Sequence, residues 1–363
     1  MLPNIGSRRC LSVLGALALL VPLLAVVPSR PVAAAGVVTE CTDAALRAAV
    51  AGGGAISFAC SGTIALTSQL AITQDTVIDG AGVVTLDGRF QIRLIQVAAG
   101  AHLTLLGLTL TDGNAGDGHG GAVFNAGDVI INASTLSENE ASHGGAIYND
   151  SGASLVIAAS TLSDNRARHG GGATYNQIEA DLTMIASTVS GNVADVTGGA
   201  IGNAGSATVS LSTLIGSRTG NSSVITNRGS FRLTASILRG SRQACDGFIR
   251  SGGYNVSDSP GSCSFDREGD LDAVDLKLGP LADNGGPTLT HLPQPDSPAL
   301  GRVPNDLCAE LSAANNGADQ RGTDRPIQDA PCDSGAVEVA LATWCGWKSG
   351  RSPEPPDLTG WEC

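Results

Sequence analysis

The sequence predicts an all-β protein, a parallel β-helix solenoid with three short strands in each coil. Two short motifs recur about every 26 residues, which is too short for a four-stranded propeller blade and has no helical periodicity. The chain also has 48 Gly and only six Phe, three Trp and three Tyr. Its core must therefore consist of thin stacked layers, with equivalent residues about 4.8 Å apart along the solenoid.

The first motif is Gly-Gly-Ala followed, three residues later, by an asparagine, and it begins at Gly120, Gly144, Gly171 and Gly198. Glycine suits a tight corner because it has no Cβ to clash. Stacked asparagine amides can hydrogen-bond from coil to coil. We therefore predict one asparagine ladder through Asn125, Asn149, Asn176, Asn203 and Asn227.

The second motif, Ser-Thr-Leu/Val-Ser-x-Asn, predicts a second ladder through Asn139, Asn165 and Asn192. Its aliphatic residue points into the core in this interpretation, so alternation places the flanking Thr and Ser outside. The resulting hydroxyl face suits either a glycan or crystalline surface, or mutual stabilisation of neighbouring strands. The predicted inward positions are Ala122, Ala146, Ala173, Ala200, Leu136, Leu162, Val189 and Leu214.

Residues 1–35 are typical of a signal peptide, with Arg8 and Arg9 before an apolar run and Ala33-Ala34-Ala35 as the cleavage site. The features fit both the general secretory and the twin-arginine route. Loss of three arginines would change the formal charge from −13 to −16. No later segment approaches the roughly 20 apolar residues of a membrane span. We expect a secreted, extracellular or cell-surface protein.

The remaining chain divides by composition into four parts. We expect an N-terminal cap over 36–75, coils over 76–244, a loop-rich C-terminal capping module over 245–339, and a Trp- and Pro-rich tail over 340–363. Solenoids need such caps to cover their open ends.

Eight cysteines follow the signal peptide and form four couples that are local in sequence. An even number in an exported chain indicates disulfides. Metal binding is the weaker alternative, because the chain has no C-x-x-C spacing. Neighbour pairing joins Cys41 with Cys60, Cys245 with Cys263, Cys308 with Cys332, and Cys345 with Cys363.

Several motifs carry a family resemblance. The Gly-Gly-Ala and Asn repeats resemble those of pectin-lyase-like and polymorphic outer-membrane proteins, which implies a right-handed β-helix. LGPLADNGGPTLTH at 278–291, DQRG at 319–322 and CDSGAVE at 332–338 resemble the bacterial choice-of-anchor Q domain. That resemblance implies an exported bacterial surface or secreted protein.

Catalytic signals are sparse. Gly118-His119-Gly120 matches a tripeptide of polygalacturonases, but paired aspartates and an Arg-Ile-Lys element are missing from the sequence. A polysaccharide lyase would need a basic residue and usually carboxylates that hold Ca²⁺. Candidates are Arg166 and Arg168 near Asp164, and Arg89 and Arg93 near Asp87.

His119, His143 and His169 each precede a Gly-Gly pair, so they are expected to stack on successive coils. A metal site is one interpretation, although a straight ladder does not converge as zinc ligands do. The repeat unit alone explains the recurrence, because duplicated coils duplicate their histidines, and metal binding is the weaker alternative.

The acidic charge argues against a nucleic-acid partner, because the chain has no excess of Lys and Arg to neutralise phosphates. We expect an exported scaffold for adhesion or for binding polysaccharide, cell-surface or matrix components, without catalysis and without a required cofactor. The alternative is a carbohydrate-active enzyme, a lyase ahead of a hydrolase, with calcium as its possible cofactor.

Overall fold

The computed structural model describes residues 34–216, 223–240, 243–325 and 330–339. These residues form a parallel β-helix of about seven turns, with little helix. The tail 340–363, including Cys345 and Cys363, and the signal segment up to residue 33 lie outside the described residues. No helix in the described ranges is long and apolar enough to cross a membrane.

Within the described ranges, the largest sheet has 17 strands, which are parallel in every pairing between coils. Two successive coils run as the long strands Thr76–Asp87 and His102–Thr111, whereas the coils before and after them break this path into two short strands. The other strands are Ala34–Val38, Gly54–Phe58, Gly62–Ala65, Asp128–Asn132, Thr135–Ser137, Ser154–Ala158, Thr161–Ser163, Asp181–Ile185, Thr188–Ser190, Ser206–Ser210, Thr213–Ile215, Ser230–Thr234, Ile237–Arg239, Arg250–Ser251 and Val256–Ser257.

Because most coils cross this sheet as two short strands, the sheet has two adjacent outer surfaces. We call the surface of strands Asp128–Asn132, Ser154–Ala158 and their equivalents the front face. The surface of strands Thr135–Ser137, Thr161–Ser163 and their equivalents is the hydroxyl face.

Two further parallel sheets complete each coil. The second sheet carries the first asparagine motif and comprises Leu70–Ile72, Ile95–Val97, Val123–Asn125, Ile147–Asn149, Thr174–Asn176, Ile201–Asn203, Ile225–Asn227 and Cys245–Asp246. The third comprises Glu140–His143, Arg166–Gly170 and Val193–Ala194. An antiparallel hairpin, Leu278–Ala282 with Thr290–Pro293, lies outside the coils.

The core is a stack of small aliphatic layers. All eight predicted inward positions are fully buried, at 0% exposure. Leu136 pairs in register with Leu162, and Leu162 with Val189, so like side chains contact each other from coil to coil. Close stacking of this kind gives the dense contacts that stabilise a protein interior.

The first asparagine column forms a continuous hydrogen-bonded ladder. Each Nδ2 donates to the Oδ1 of the next asparagine, at 2.7 Å from Asn125, 2.8 Å from Asn149, 2.8 Å from Asn176 and 2.7 Å from Asn203. The same Nδ2 atoms also donate to backbone carbonyls one coil further on, for example from Asn176 to Ser206. The five asparagines are at most 5% exposed.

The second column is built in the same way. Asn139 Nδ2 donates to Asn165 Oδ1 at 2.9 Å, and Asn165 Nδ2 donates to Asn192 Oδ1 at 2.8 Å. A serine ladder that sequence reasoning missed lies at a neighbouring corner. Each backbone N–H donates to the next hydroxyl at 3.1–3.2 Å, through Ser134, Ser160, Ser187, Ser212 and Ser236.

The Gly-Gly pairs occupy corners that exclude larger residues. Gly144 has φ +61°, and a Cβ there would collide with the carbonyl of Ile147. A Cβ on Gly145 would meet the carbonyl of Gly172 in the next coil. The pair therefore combines a left-handed backbone with close contact between coils.

The segment expected as the N-terminal cap contains one helix and several strands of the first sheet. Helix Asp43–Val50 begins at Thr42, whose hydroxyl accepts from the N–H of Ala45, and it buries Leu46 and Val50 over the first coil. Strands of the first sheet already occupy the segment expected to be cap, because Ala34–Val38 pairs in parallel with Gly54–Phe58, which pairs with Thr76–Asp87. The strand pattern from 54 to 72 is less regular than the later repeats, which hid this coil in the sequence.

The C-terminal boundary and the position of the C-terminal module also differ from the prediction. Parallel pairing continues past residue 244 to Val256, which bridges Leu271. Residues 276–325 and 330–338, with helix Asn305–Ser312 and the 3₁₀ turn Ala313–Asn315, then lie along the hydroxyl face instead of only closing the end.

Three disulfides hold the described chain: Cys41–Cys60, Cys245–Cys263 and Cys308–Cys332. Each joins the two cysteines nearest in sequence. The first lies beside the cap helix and the second closes the last coil of the second sheet. The third packs with Leu211, Ala235 and Val303, so it joins the C-terminal module to the coils.

Candidate functional site

The hydroxyl face is not the open binding surface that alternation predicted. Thr161, Ser163, Thr188 and Ser190 are buried, because the C-terminal module covers them. Thr161 donates to the carbonyl of Leu289 at 2.6 Å, for example. Only the N-terminal part, such as Thr135 and Ser137, stays half-buried. These buried hydroxyls therefore serve a structural role instead of forming a continuous polar platform.

The described surface has a groove of about 520 Å³ at the N-terminal coils. It is lined by Ser68, Gln69, Phe90, Gln91, Ile92, Arg93, Asn114, Ala115 and Gly116. The lining residues come from three successive connections between the first and second sheets. The groove therefore crosses adjacent coils.

Phe90 is held at the mouth of the groove. Arg89 and Phe90 both have left-handed backbone, with φ of 51° and 55°. The N–H of Arg89 donates to Asp87 Oδ1 at 2.7 Å, and the N–H of Phe90 donates to the carbonyl of Asp112 at 2.7 Å. This turn leaves Phe90 51% exposed. Such an exposed aromatic ring in a left-handed conformation is unusual for a purely structural residue.

Arg93 forms the polar wall of the groove. Its Nε donates to the carbonyls of His119 and Gly120 at 3.0 and 3.1 Å, and its Nη1 donates to Gln69 Oε1 at 3.2 Å. Burial lowers the pKa of Arg93 from its usual value. The guanidinium carbon lies 5.2 Å from the ring centre of Phe124, within cation–π range.

Aromatic rings continue from Arg93 along the second sheet. Phe124, Tyr148 and Tyr175 stack with ring centres 5.6 Å apart at each step. The Tyr148 hydroxyl accepts from Gln177 Nε2 at 2.9 Å. The column ends at Gly202, where a Cβ would approach the ring of Tyr175.

The three histidines lie next to this column, where His143 stacks on His169 and meets His119 edge to face. Ring centres are 5.2 Å apart for His119 and His143, and 5.0 Å apart for His143 and His169. His119 also stacks on Tyr148 at 4.5 Å. The described residues contain no group of three His, Cys, Asp or Glu side chains arranged to hold a metal ion.

Burial dominates the electrostatics of this stack. It lowers the pKa of His119, with the nearby positive charge of Arg93 as the next cause. Burial also lowers the pKa of His143, and the neighbouring imidazoles His119 and His169 add to the effect. Both rings are therefore neutral at pH 7.

The arginines proposed for lyase chemistry lie in surface ion pairs. Arg166 contacts Asp195 at 2.9 Å. Arg168 contacts Asp117 at 2.5 Å and Glu140 at 3.8 Å. None of these three ion pairs involves Asp164, the carboxylate nearest in sequence. Register between coils, rather than sequence proximity, sets these partners.

Near Asp87, Arg89 and Arg93 are separated. The backbone of Arg89 binds Asp87, whereas the side chain of Arg93 points into the groove wall. Asp112 lies one coil away, and burial raises its pKa, with the charges of Asp87 and Glu138 adding to the rise.

Comparison of the chain with protein-family models, with curated proteins and with solved structures finds no match in any of the three.

Proposed function

We propose that this protein is an exported scaffold that binds polysaccharide in the groove beside Phe90 and Arg93, without catalysis. The exposed ring of Phe90 in a polar groove is the observation that carries the proposal. Aromatic faces pack against the C–H surface of a sugar, and convergent polar groups fix its hydroxyls. Gln69, Gln91 and Asn114 supply those polar groups here.

The groove suits an extended polymer rather than a small metabolite. It crosses successive coils, and the aromatic and imidazole columns continue from it along the solenoid. Sugar units of a chain can then contact equivalent positions on several coils. The formal charge of −13 favours a neutral glycan, because an anionic one meets long-range repulsion.

An extracellular location supports this activity. The signal-like segment and the three disulfides are typical of exported proteins. The motif resemblance to choice-of-anchor Q proteins supports a place on, or released from, a bacterial surface. Adhesion through cell-surface or matrix glycans is the role that follows.

Lyase activity is the second candidate, and one observation favours it. His143 is neutral at pH 7, a state in which it can accept a proton, and its strand is paired with the strand of Arg166. Against it, Arg166 and Arg168 are already paired with carboxylates. Calcium, which such an enzyme usually needs, has no grouped ligand set in the residues that the structure describes.

The test is retention on a panel of insoluble polysaccharides, with simultaneous assay for unsaturated and reducing ends. Phe90→Ala should lower retention of the bound glycan about tenfold, because a stacked ring contributes on the order of 1 kcal/mol or more. Phe248→Ala is the matched control, since Phe248 is also exposed, at 73%, but lies far from the groove.

Equal retention by the two variants and the wild type contradicts the groove as the binding site. Release of unsaturated ends by the wild type, lost in His143→Ala, supports the lyase instead.

A further inference from the structure

The N-terminal part of the hydroxyl face stays accessible beyond the C-terminal module. A threonine column runs in register through Thr63, Thr85, Thr109 and Thr135, and it continues under the module as Thr161. Thr63 is exposed and the next three are half-buried, whereas Thr161 is 0% exposed. We call the accessible part, from Thr63 to Thr135, the open face. Four steps of about 4.8 Å separate Thr161 from Thr63, about 19 Å in all.

Carboxylates line one edge of the open face. Asp87 ends one of its strands, and Asp112 and Glu138 directly follow the next two. Asp164 follows the first covered strand. Within the described ranges, no lysine or arginine forms an ion pair with any of these four carboxylates. The edge therefore carries negative charge that is not compensated locally.

The last described residues of the chain run toward the open face. The Ser334 hydroxyl donates to the carbonyl of Tyr254 at 2.7 Å. The N–H of Ala336 donates at 3.0 Å to the hydroxyl of Thr213, two coils nearer the N-terminal end. Val339, where the described chain ends, therefore continues in the direction of the open face.

The described chain ends at the margin between the covered and the open coils. Gln320 Nε2 donates to the hydroxyl of Thr161 at 2.8 Å, and the neighbouring Arg321 donates to the carbonyl of Glu338. Leu289, whose carbonyl accepts from Thr161, has a side chain that is 38% exposed. An apolar residue thus lies at the margin beside which the tail 340–363 begins.

We propose that the tail 340–363 docks on the open face of its own chain and extends the cover of the C-terminal module to the N-terminal coils. Its first part, 340–353, contains Lys348 and Arg351 and no carboxylate, so its charge is complementary to that of the acidic edge. An extended chain covers about 19 Å in about six residues. The tail is therefore long enough even when the predicted Cys345–Cys363 disulfide closes most of it into a loop.

The chemistry of the tail suits a threonine surface. Trp344, Trp347 and Trp361 are amphipathic, since an indole has a large apolar ring and one N–H donor. The ring packs against threonine methyl groups and the N–H donates to a hydroxyl. Thr85, Thr109 and Thr135 would then have the docking role that Thr161 has under the module. This proposal does not rest on glycan binding in the groove.

Tryptophan fluorescence of the purified chain tests the proposal, because all three tryptophans lie in the tail. The wild type should emit at a shorter wavelength than the denatured chain, since docking removes the indoles from water. Thr109→Arg places a bulky cation in the middle of the open face and should move the emission maximum most of the way to that of the denatured chain. Glu138→Lys should shift it in the same direction, because it removes part of the charge that attracts Lys348 and Arg351.

Matched controls are available for both variants. Thr183→Arg changes a half-buried threonine of the front face. Glu179→Lys changes a glutamate that, like Glu138, is exposed and has a left-handed backbone, with φ of 63° against 56°. Neither control should shift the emission. Unchanged melting midpoints in far-UV circular dichroism show that the coils stay folded, and if Thr109→Arg fails to fold, the exposed Glu138→Lys still provides the test.

Three outcomes overturn the proposal. The first is a wild-type emission maximum equal to that of the denatured chain. The second is a shorter-wavelength emission that survives both Thr109→Arg and Glu138→Lys, since the tail then packs on itself or on another surface. The third is an emission maximum that depends on protein concentration, which would assign the open face to the tail of a second copy.

Discussion

The Thr188 hydroxyl donates a 2.6 Å hydrogen bond to the side-chain carbonyl of Gln320, 132 residues later in the chain. Gln320 is 1% exposed, and its Nε2 also donates to the hydroxyls of Thr161 and Thr288 at 2.8 Å. One buried amide thus joins two coils to the C-terminal module. The hydroxyl face is a docking surface for the chain's own C-terminal region.

Gln320→Leu should weaken this docking. The change leaves the Thr188 hydroxyl without its acceptor in a dry interface, and a buried polar group without a partner costs about 1–3 kcal/mol. Limited proteolysis should then cut the C-terminal module faster than the coils. Gln91→Leu, at an exposed position, should change stability by no more than about 0.5 kcal/mol. Equal digestion of the two variants would count against this role.

His291 is the second docking contact and predicts sensitivity to acid. Its Nδ1 donates to the carbonyl of Gly279 at 2.8 Å, so its Nε2 accepts from the Ser190 hydroxyl at 2.9 Å. Burial lowers the pKa of His291 below its usual value near 6.5. The folded state therefore binds fewer protons than the unfolded state, and this contribution to stability is lost as the pH falls through the lowered pKa.

Urea denaturation between pH 4 and pH 7 measures the effect. The wild type should lose stability on acidification, whereas His291→Asn, which keeps a donor near Gly279, should lose less. Parallel curves for the two proteins would exclude His291 as a source of the pH dependence.

Sequence reasoning predicted the coils well and the C-terminal docking poorly, for a physical reason. A repeated residue such as Asn176 meets its own copies in adjacent coils, so periodicity alone indicates its neighbours. Gln320 and His291 occur once, and their partners lie more than 100 residues away. Nothing local in the sequence specifies those contacts.

Sequence periodicity did not indicate the groove either. It lies where the repeat is interrupted, at the left-handed turn of Arg89 and Phe90, before the regular motifs begin. In the sequence, this turn stands out only by the charges of Asp87, Arg89 and Arg93. An exposed aromatic residue in an insertion between coils is the signal that would have found it.

Glu338 predicts a loss of stability at higher pH. Burial, with the charge of Asp333 as the next cause, raises the pKa of Glu338 to about 7. The folded state therefore binds the proton more tightly than the unfolded state. The stabilisation is complete below the unfolded pKa near 4.5 and is lost as the pH rises through about 7.

Glu338→Gln should remove this dependence. The amide can still accept from the N–H of Asp333, which donates to Glu338 Oε2 at 2.9 Å in the wild type. The wild type should lose about 2–3 kcal/mol of unfolding free energy between pH 5 and pH 8 relative to this variant. A constant difference between the two proteins over that range would refute the assignment.

The asparagine ladder predicts a large and specific loss on substitution of its middle member. In Asn176→Leu, the Nδ2 of Asn149 loses the acceptor that it now reaches at 2.8 Å, and the Oδ1 of Asn203 loses its donor at 2.8 Å. Asn149 Nδ2 keeps its bond to the carbonyl of Asp181, whereas the buried Asn203 Oδ1 is left without a donor, so the unfolding free energy should fall by about 1–3 kcal/mol. Asn132→Leu is the matched control, since half-buried Asn132 pairs in register with Leu106 and Ala158. Its loss should stay near 0.5 kcal/mol, and equal denaturation midpoints for the two variants would show that the ladder does not stabilise the coils.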